Sequence, residues 1–192
     1  IDLTSNGGAV LVRSDIASGG HVDARGTAVT LNALGDLHVG SATSTSGDIA
    51  LLAASLSVDQ AQSAGGAAFS ASDAVTIGDA RAATDIDVQS GGTAALTGNV
   101  QAGSALGVTA QGLVTIEGKA IGETITIASP DIQIGNAAVI GGGTETSLIT
   151  LRNIAPGTTT TIGGSGGGGS GYVLDNGEFS RLHAQNITIR VD

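Results

Sequence analysis

Apolar residues alternate with polar ones in short runs that recur about every 19 positions along the chain. In the first series each run carries two apolar side chains two residues apart, and the runs begin at Val29, Ile49, Ala67, Ile86, Leu106 and Ile125, at spacings of 20, 18, 19, 20 and 19 residues. A second series of the same form begins at Leu37, Leu56, Val75, Ala94, Val114 and Ile132. A third series of small or aliphatic residues follows at Ala42, Ala61, Ala80, Val100, Ala120 and Val139. Three series that recur with the same spacing of about 19 residues predict a repeat architecture instead of a single closed core.

The period of two within each run predicts β-strands, since successive side chains of a strand point to opposite faces. Gly, Asn, Asp and Ser separate the runs, and these residues favour tight turns. Three short strands joined by such corners cannot pair within one coil, but each can pair in parallel with its equivalent in the next coil. We therefore predict an all-β, right-handed parallel β-helix with coils of about 19 residues and three short strands per coil. Its inner ladders would contain Ile49, Phe69, Val88, Val108 and Ile127.

The two ends of the chain depart from this regular pattern. Before Val29 similar pairs occur, but their register cannot be assigned from the sequence; they are Ile1 with Leu3, Val10 with Val12, and Val22 with Ala24. After Ile140 the next pair, Ile149 and Leu151, follows the preceding one by 24 residues. We interpret residues 1–162 as the β-helix segment.

Residues 163–171 are almost entirely glycine and serine, which predicts a flexible loop, and their composition also resembles that of an engineered linker. Residues 172–192 are expected to add a short helix and one further strand to the same solenoid. Asp175 and Glu178 have the spacing of a helix-capping box, so a helix is predicted over about 177–182. The alternation of Ile187 and Ile189 predicts the strand.

Composition supports a narrow, repetitive interior. Glycine accounts for 32 of 192 residues, aromatic residues for 2% and hydrophobic residues for 41%, and cysteine is absent. The hydrophobic fraction argues against disorder. The net charge of −10 and the scattered basic residues argue against nucleic acid as a partner. The uncharged stretch 88–116 is interrupted by Gly, Ser, Thr, Gln and Asn, so we expect no membrane insertion. Without a start methionine or signal segment, the chain is expected to be a piece of a longer protein.

Coils such as 29–39 and 106–116 resemble the repeats of filamentous-haemagglutinin-type exoproteins, the secreted partners of Gram-negative two-partner secretion systems. The segment 172–184, followed by Ile187–Ile189, is similar to a helix-then-strand element that recurs in such proteins. The resemblance covers about 29–191. It implies a right-handed β-helix shaft, exported across the outer membrane by a transporter and used in adhesion, aggregation or cell contact. The family's secretion-domain Asn-Pro motifs and a C-terminal effector are not visible, so the resemblance places no functional residue on this chain.

Two groups of residues are candidates for a catalytic or metal-binding site. Asp85 and Asp87 should both point outward from one strand, but the matching positions one coil away are Gly66, Ala68, Ala105 and Gly107, so no stack of carboxylates is expected. The three histidines, His21, His38 and His183, lie on different predicted elements without ligand spacing, and each is interpreted as a surface residue.

The other motifs give weaker signals. Gly35-Asp36 and Gly78-Asp79 lack the spacing of calcium solenoids, though they could hold an ion weakly. The glycines of 163–171 lack the lysine of a phosphate-binding loop. Asn186-Ile-Thr188 is a glycosylation sequon expected by chance. An ice-binding array would need threonines in register, which is not expected for Thr43, Thr45, Thr124, Thr126 and Thr158–Thr161.

The sequence therefore predicts no catalytic, cofactor-binding or metal-binding residue. We expect a non-enzymatic structural shaft segment of a large secreted or cell-surface bacterial adhesin. Its partners would be host or bacterial cell-surface glycans or proteins, bound through the parent protein, and an outer-membrane transporter during export. The alternative is a carbohydrate-active β-helix enzyme, a lyase or hydrolase, for which a strip of acidic and basic residues on one outer face would be needed.

Overall fold

The computed structural model describes residues 1–13, 21–142, 145–164 and 172–191. It is an all-β parallel solenoid of about seven turns, with coils of about 19 residues, three faces and one short helix near the C-terminus. The predicted fold class is confirmed; the hand of winding stays a prediction. Every pairing between strands is parallel, as expected for strands that pair only with the equivalent strand of the next coil.

The strands form three columns. The first column is a nine-stranded sheet of β2 (Val10–Arg13), β4 (Val29–Asn32), β6 (Ile49–Ala53), β8 (Ala67–Ala71), β10 (Ile86–Ser90), β13 (Ala105–Ala110), β16 (Thr124–Ser129), β19 (Leu148–Asn153) and β22 (Asn186–Val191). The second sheet follows the path β1 (Asp2–Thr4), β3 (Val22–Gly26), β5 (Leu37–Ser44), β7 (Leu56–Ser63), β9 (Val75–Ala82), β11 (Ala94–Leu96), β14 (Leu113–Ile116) and β17 (Asp131–Ile134). It also includes β12 (Asn99–Ala102), β15 (Lys119–Ile121) and β18 (Val139–Ile140), which continue the third column.

The second and third columns are continuous in three coils and separate in the later ones. Strands β5, β7 and β9 each run for eight residues through both columns. In the next coil the corner between Leu96 and Val100 is one residue longer than the corner between Ile77 and Ala80, and the strand divides into β11 and β12. One added residue is therefore enough to turn a continuous strand into two strands with a corner.

The core is a continuous column of aliphatic side chains that runs along the solenoid. Phe69, Val88 and Val108 are aligned across neighbouring coils and are almost completely buried. The outward residues between them are exposed or half-buried, which is the burial alternation that the period of two predicts.

At the corners the coils approach so closely that some positions accept only glycine. At Gly118 a Cβ atom would lie 1.9 Å from the carbonyl oxygen of Gly98 in the preceding coil. No other residue fits there without moving one coil away from the next.

The structure assigns the register of the first coils, which the sequence left open. Val10 aligns with Val29 in the first column, and Leu3 aligns with Ala24 in the third. Val22 aligns with Val39, but the register then shifts, and Ala24 aligns with Ala42. Gly40 is the extra residue in this irregularity. This bulge explains why constant spacing could not be extended to the start of the chain.

The assignment of Val139 to the inner third column is wrong. Ile140 aligns with Ala120 and is fully buried, whereas Val139 aligns with the outward Lys119. The corner of this coil is longer than those before it and contains a turn closed by the N–H of Ala138 donating to the Gly135 carbonyl oxygen, 3.0 Å. Because of the added turn residues, the inward position of this coil is occupied by Ile140 and not by Val139.

Beyond this coil the first column resumes, with Ile149 aligned with Ile125 and Ile187 with Ile149. A separate two-stranded sheet of β20 (Thr160–Ile162) and β21 (Tyr172–Leu174) packs against β17. Of the predicted loop 163–171 the structure describes only Gly163 and Gly164, both with positive φ. The remainder lies outside the described residues.

The predicted helix is present but shorter than expected, since α1 spans Asn176–Phe179. Its capping box is confirmed: the Asp175 carboxylate accepts from the N–H of Glu178, and the Glu178 carboxylate accepts from the N–H of Asp175. The helix ends early because Leu182 forms a parallel bridge with Ile140, which returns the backbone to the third column.

Candidate functional site

The outer face of the third column carries a shallow polar groove. It exists because Ala61, Ala80 and Val100 point inward, so the residues that flank them point outward. The groove encloses about 360 Å³. Its central polar side chains are Gln60, Gln62, Asp79, Arg81, Asn99 and Gln101.

This groove can bind a polar ligand by hydrogen bonds, but its acidic group is already engaged. The Asp79 carboxylate accepts from the N–H of Asn99 in the next coil at 2.8 Å. Arg81 is aligned with Gln62 on one side and Gln101 on the other, so amides flank its guanidinium. The groove therefore offers one guanidinium, one carboxylate and several amides, a set suited to hydroxyl-rich or anionic ligands.

A second groove, on the outer face of the first column, is lined by Asp48, Asp85 and Asp87. As predicted, Asp87 has no carboxylate above or below it, because it aligns with Ala68 and Gly107. Asp48 was not predicted; it is equivalent to Asp85 two coils earlier, and Gly66 occupies this position in the coil between them.

Two of the three acids of this second groove accept hydrogen bonds from backbone N–H groups. Asp48 accepts from the N–H of Gly66 at 2.8 Å, and Asp85 accepts from the N–H of Ala105 at 2.9 Å. Each carboxylate thus satisfies a corner N–H of the next coil, which would otherwise lack a strand partner. Asp87 accepts from the amide of Gln89 at 2.7 Å. The contacts of Asp48 and Asp85 therefore link neighbouring coils, whereas the contact of Asp87 stays within its own strand.

The third candidate site is a cluster of three side chains that was not predicted from the sequence. His21, His38 and Asp59 come from three successive coils and lie together on the outer surface, with ligand atoms all within 4.8 Å of one another. The Asp59 carboxylate lies 3.0 Å from His38 Nε2 and 3.5 Å from His21 Nδ1. The two imidazole rings are in contact, with centroids 4.1 Å apart. Within the described part of the chain this is the only group of three or more His, Asp or Glu side chains with donor atoms in this proximity.

The expectation that the histidines lie apart is therefore wrong for His21 and His38. They meet because Val22 aligns with Val39, which places the two preceding residues side by side. In the sequence a histidine directly precedes each of these two valines. This would have predicted the contact only if the alignment of Val22 with Val39 had been known. His183 is exposed at the other end, where its backbone N–H donates to the Ile140 carbonyl oxygen at 2.7 Å.

The threonine prediction needs one correction. Thr43 aligns with Gln62 and not with another threonine, as expected. Thr126, however, aligns with Thr150, and Thr150 aligns with Thr188. The chain makes long insertions between these coils but returns each time to the same position in the first column. The threonine ladder spans these three coils. Asn186 of the sequon is exposed at the start of β22, where its side chain donates to the Ser147 carbonyl oxygen at 3.3 Å.

No protein-family model, curated protein or solved structure matches the chain. None of the helical segments in the described residues is long and apolar enough to span a membrane.

Proposed function

We propose that the chain is a non-enzymatic shaft segment of a large secreted or cell-surface bacterial adhesin, one that holds binding regions away from the cell. The observation that carries the proposal is the unbroken first column, in which nine parallel strands stack from β2 to β22. At roughly 4.8 Å per step these strands extend the solenoid by about 38 Å, and further coils would lengthen it by the same increment.

The packing supports a mechanical role. Consecutive coils are joined by two parallel sheets and by side chains such as Asp48 and Asp85, which bond to the next coil. Because each coil contacts only its neighbours, stiffness depends on these local links and on the continuous column of aliphatic side chains inside the solenoid. The resemblance to filamentous-haemagglutinin-type repeats supports the same function. On that basis we also propose export through an outer-membrane transporter and adhesion to cell-surface glycans or proteins through other parts of the parent protein.

The alternative is a carbohydrate-active enzyme, and the groove that contains Asp79 and Arg81 is the observation in its favour. A polyuronide lyase needs a base and a cation that neutralises the substrate carboxylate, and a hydrolase needs a pair of acids. The groove presents one acidic and one basic side chain on one outer face, which matches the base and the cation of a lyase but not the pair of acids of a hydrolase.

Turnover assays separate the two functions. The purified 192-residue chain is incubated with polyuronides and neutral polysaccharides, and new unsaturated or reducing ends are measured. The shaft proposal predicts no turnover. Turnover that is abolished by Asp79→Asn or Arg81→Ala, but kept in the matched variant Asp87→Asn on the other groove, would establish the enzyme instead.

Adhesion by the parent protein provides the positive test. We expect Arg81→Ala to leave adhesion unchanged, since the groove is not the binding region. Val88→Asp, which disrupts the stack of coils, should abolish adhesion even when the same amount of protein reaches the surface. If Arg81→Ala lost adhesion and Val88→Asp kept it, the result would contradict the shaft function.

A further inference from the structure

We propose that His21, His38 and Asp59 bind a divalent transition-metal ion such as Zn²⁺, and that the ion joins three successive coils. Two imidazoles and one carboxylate are a ligand set that borderline metals prefer, whereas Mg²⁺ and Ca²⁺ favour sets made only of oxygen. Water would complete the coordination.

The distances between the ligand atoms fit such an ion. With metal–ligand bonds of 2.0–2.2 Å, neighbouring ligands of a tetrahedral site lie roughly 3.3 Å apart. Asp59 Oδ1 lies 3.0 Å from His38 Nε2, and Asp59 Oδ2 lies 3.5 Å from His21 Nδ1. One ligand atom from each of the three residues lies within 4.8 Å of the others, which is near the spacing that such a site requires.

The backbone around the cluster leaves room for these ligands. A Cβ atom at Gly40 would lie 2.9 Å from the Asp23 carboxylate and 3.2 Å from His21 Nδ1. Glycine at the register shift therefore lets the His21 ring stay beside Asp59. The hydroxyl of Ser41 donates to the same Asp23 carboxylate at 2.7 Å and holds it beside Gly40.

Electrostatics also favour a cation here. Asp59 places a carboxylate against two imidazoles, on a chain with a net charge of −10. The side chains of His21, His38 and Asp59 are 58%, 40% and 51% exposed, so an ion can reach them directly from solvent. Exposure also means that the site would exchange its ion and would leave coordination positions open to water or to an external ligand.

Calorimetric titration of the full chain with ZnCl₂ tests the proposal. We expect one ion per chain, at least tenfold weaker binding in His38→Gln and in Asp59→Asn, and unchanged binding in the control His183→Gln. Gly40→Ala should also weaken binding, although it removes no ligand. Mg²⁺ and Ca²⁺ should not compete. Circular dichroism of each variant shows whether the fold is retained.

Nuclear magnetic resonance identifies the ligands independently. Zn²⁺ should shift the imidazole nitrogen signals of His21 and His38 and leave those of His183 unchanged. The proposal is overturned if no saturable one-site binding is seen, if His38→Gln and Asp59→Asn bind as tightly as the wild type, or if only His183 responds. In the first case the cluster is a hydrogen-bonded group in which Asp59 bridges two imidazoles. None of these outcomes bears on the shaft function.

Discussion

For a single residue, the direction of its side chain decides how much a substitution costs. Inward residues such as Val88 and Ile116 are fully buried between two neighbouring coils, whereas outward residues on the same strands are exposed or half-buried. Burial of an apolar side chain contributes about 1.5–3 kcal/mol, and an unpaired charge in the same place costs far more. Two adjacent residues of one strand therefore differ sharply in their tolerance of substitution by a charged residue.

Val88→Asp, and equally Ile116→Asp, should abolish the folded state. The aspartate would bury a charge without a partner among aliphatic side chains, at a cost of about 5 kcal/mol or more, comparable with the whole stability of a typical domain. Urea unfolding followed by circular dichroism measures the effect. Thr109→Asp, on the exposed face of the neighbouring strand β13, is the control and should change stability by less than about 0.5 kcal/mol. Equal midpoints for Val88→Asp and the wild type would contradict the account.

Tyr172 is the chain's single tyrosine and is completely buried, and its hydroxyl has no hydrogen-bond partner among the described residues. Burial raises the pKa of the Tyr172 phenol far above its usual value, and the negative charges of Asp131 and Glu178 add to the shift. The folded state therefore holds the phenol neutral, whereas the unfolded chain ionises it from about pH 10. Its contribution to stability is complete below that pH and is lost as pH rises above it.

Tyr172→Phe should remove this alkaline loss. Between pH 10 and 11.5 the unfolding free energy of the wild type should fall relative to the variant by up to about 1.4 kcal/mol per pH unit. At pH 7 the variant should gain roughly 1 kcal/mol, because an unsatisfied buried hydroxyl is removed. Ser129→Ala is the matched control: its hydroxyl is also buried without a partner, so it should show the gain but keep the pH profile. Parallel profiles for Tyr172→Phe and wild type above pH 10 would refute the assignment.

At the scale of elements, α1 closes the last coil of the second column. The Glu178 carboxylate accepts from the N–H of Ile134 at 2.9 Å, in addition to its capping contact with Asp175. Arg181 donates from its guanidinium to the Ile134 carbonyl oxygen at 2.9 Å and to the side chain of Asn136 at 2.8 Å. Two side chains thus take the place of a further strand at this end of β17. An edge that would otherwise present open backbone groups is covered.

Glu178→Gln should weaken this cap. An amide has one acceptor oxygen for the two N–H donors of Ile134 and Asp175, and its NH₂ group would face a donor. We expect a loss of about 1–3 kcal/mol and faster hydrogen exchange at the Ile134 amide. Ser180→Ala, which removes only an exposed hydroxyl contact to the Gly177 carbonyl oxygen, is the control. If exchange at Ile134 were the same in Glu178→Gln and in the control, α1 would not act as a cap.

The same elements show how far the sequence could be interpreted. The columns from Val29 to Ile134 were predictable because each coil repeats both the period of two and the 19-residue spacing. Val139 was assigned to the inner column in place of Ile140 because the corner before these residues is longer than the earlier corners. The pairing of the first coils was hidden by the bulge at Gly40. The His21–His38–Asp59 cluster depends on that bulge, so its chemistry became visible only after the register was known.

For the whole molecule, distance along the solenoid depends on the number of coils and not on the number of residues. The outward ladder Thr30, Ala50, Ala68, Asp87, Gly107, Thr126, Thr150 and Thr188 illustrates this. From Thr30 to Thr126 there are five steps across 96 residues, and from Thr126 to Thr188 only two steps across 62. The long insertions near the C-terminus leave the column and return to it without adding height.

Electron-paramagnetic-resonance distances between paired spin labels test this claim most directly, and the absence of native cysteine makes the labelling specific. Labels at Thr30 and Thr126 should be separated by roughly 24 Å, and labels at Thr30 and Thr188 by roughly 34 Å, since each step adds about 4.8 Å. Labels at Thr126 and Thr188 should lie within about 10 Å of each other and show strong dipolar broadening. Distances that follow residue separation, or a short distance between Thr30 and Thr188, would contradict the stacking of coils on which the shaft function depends.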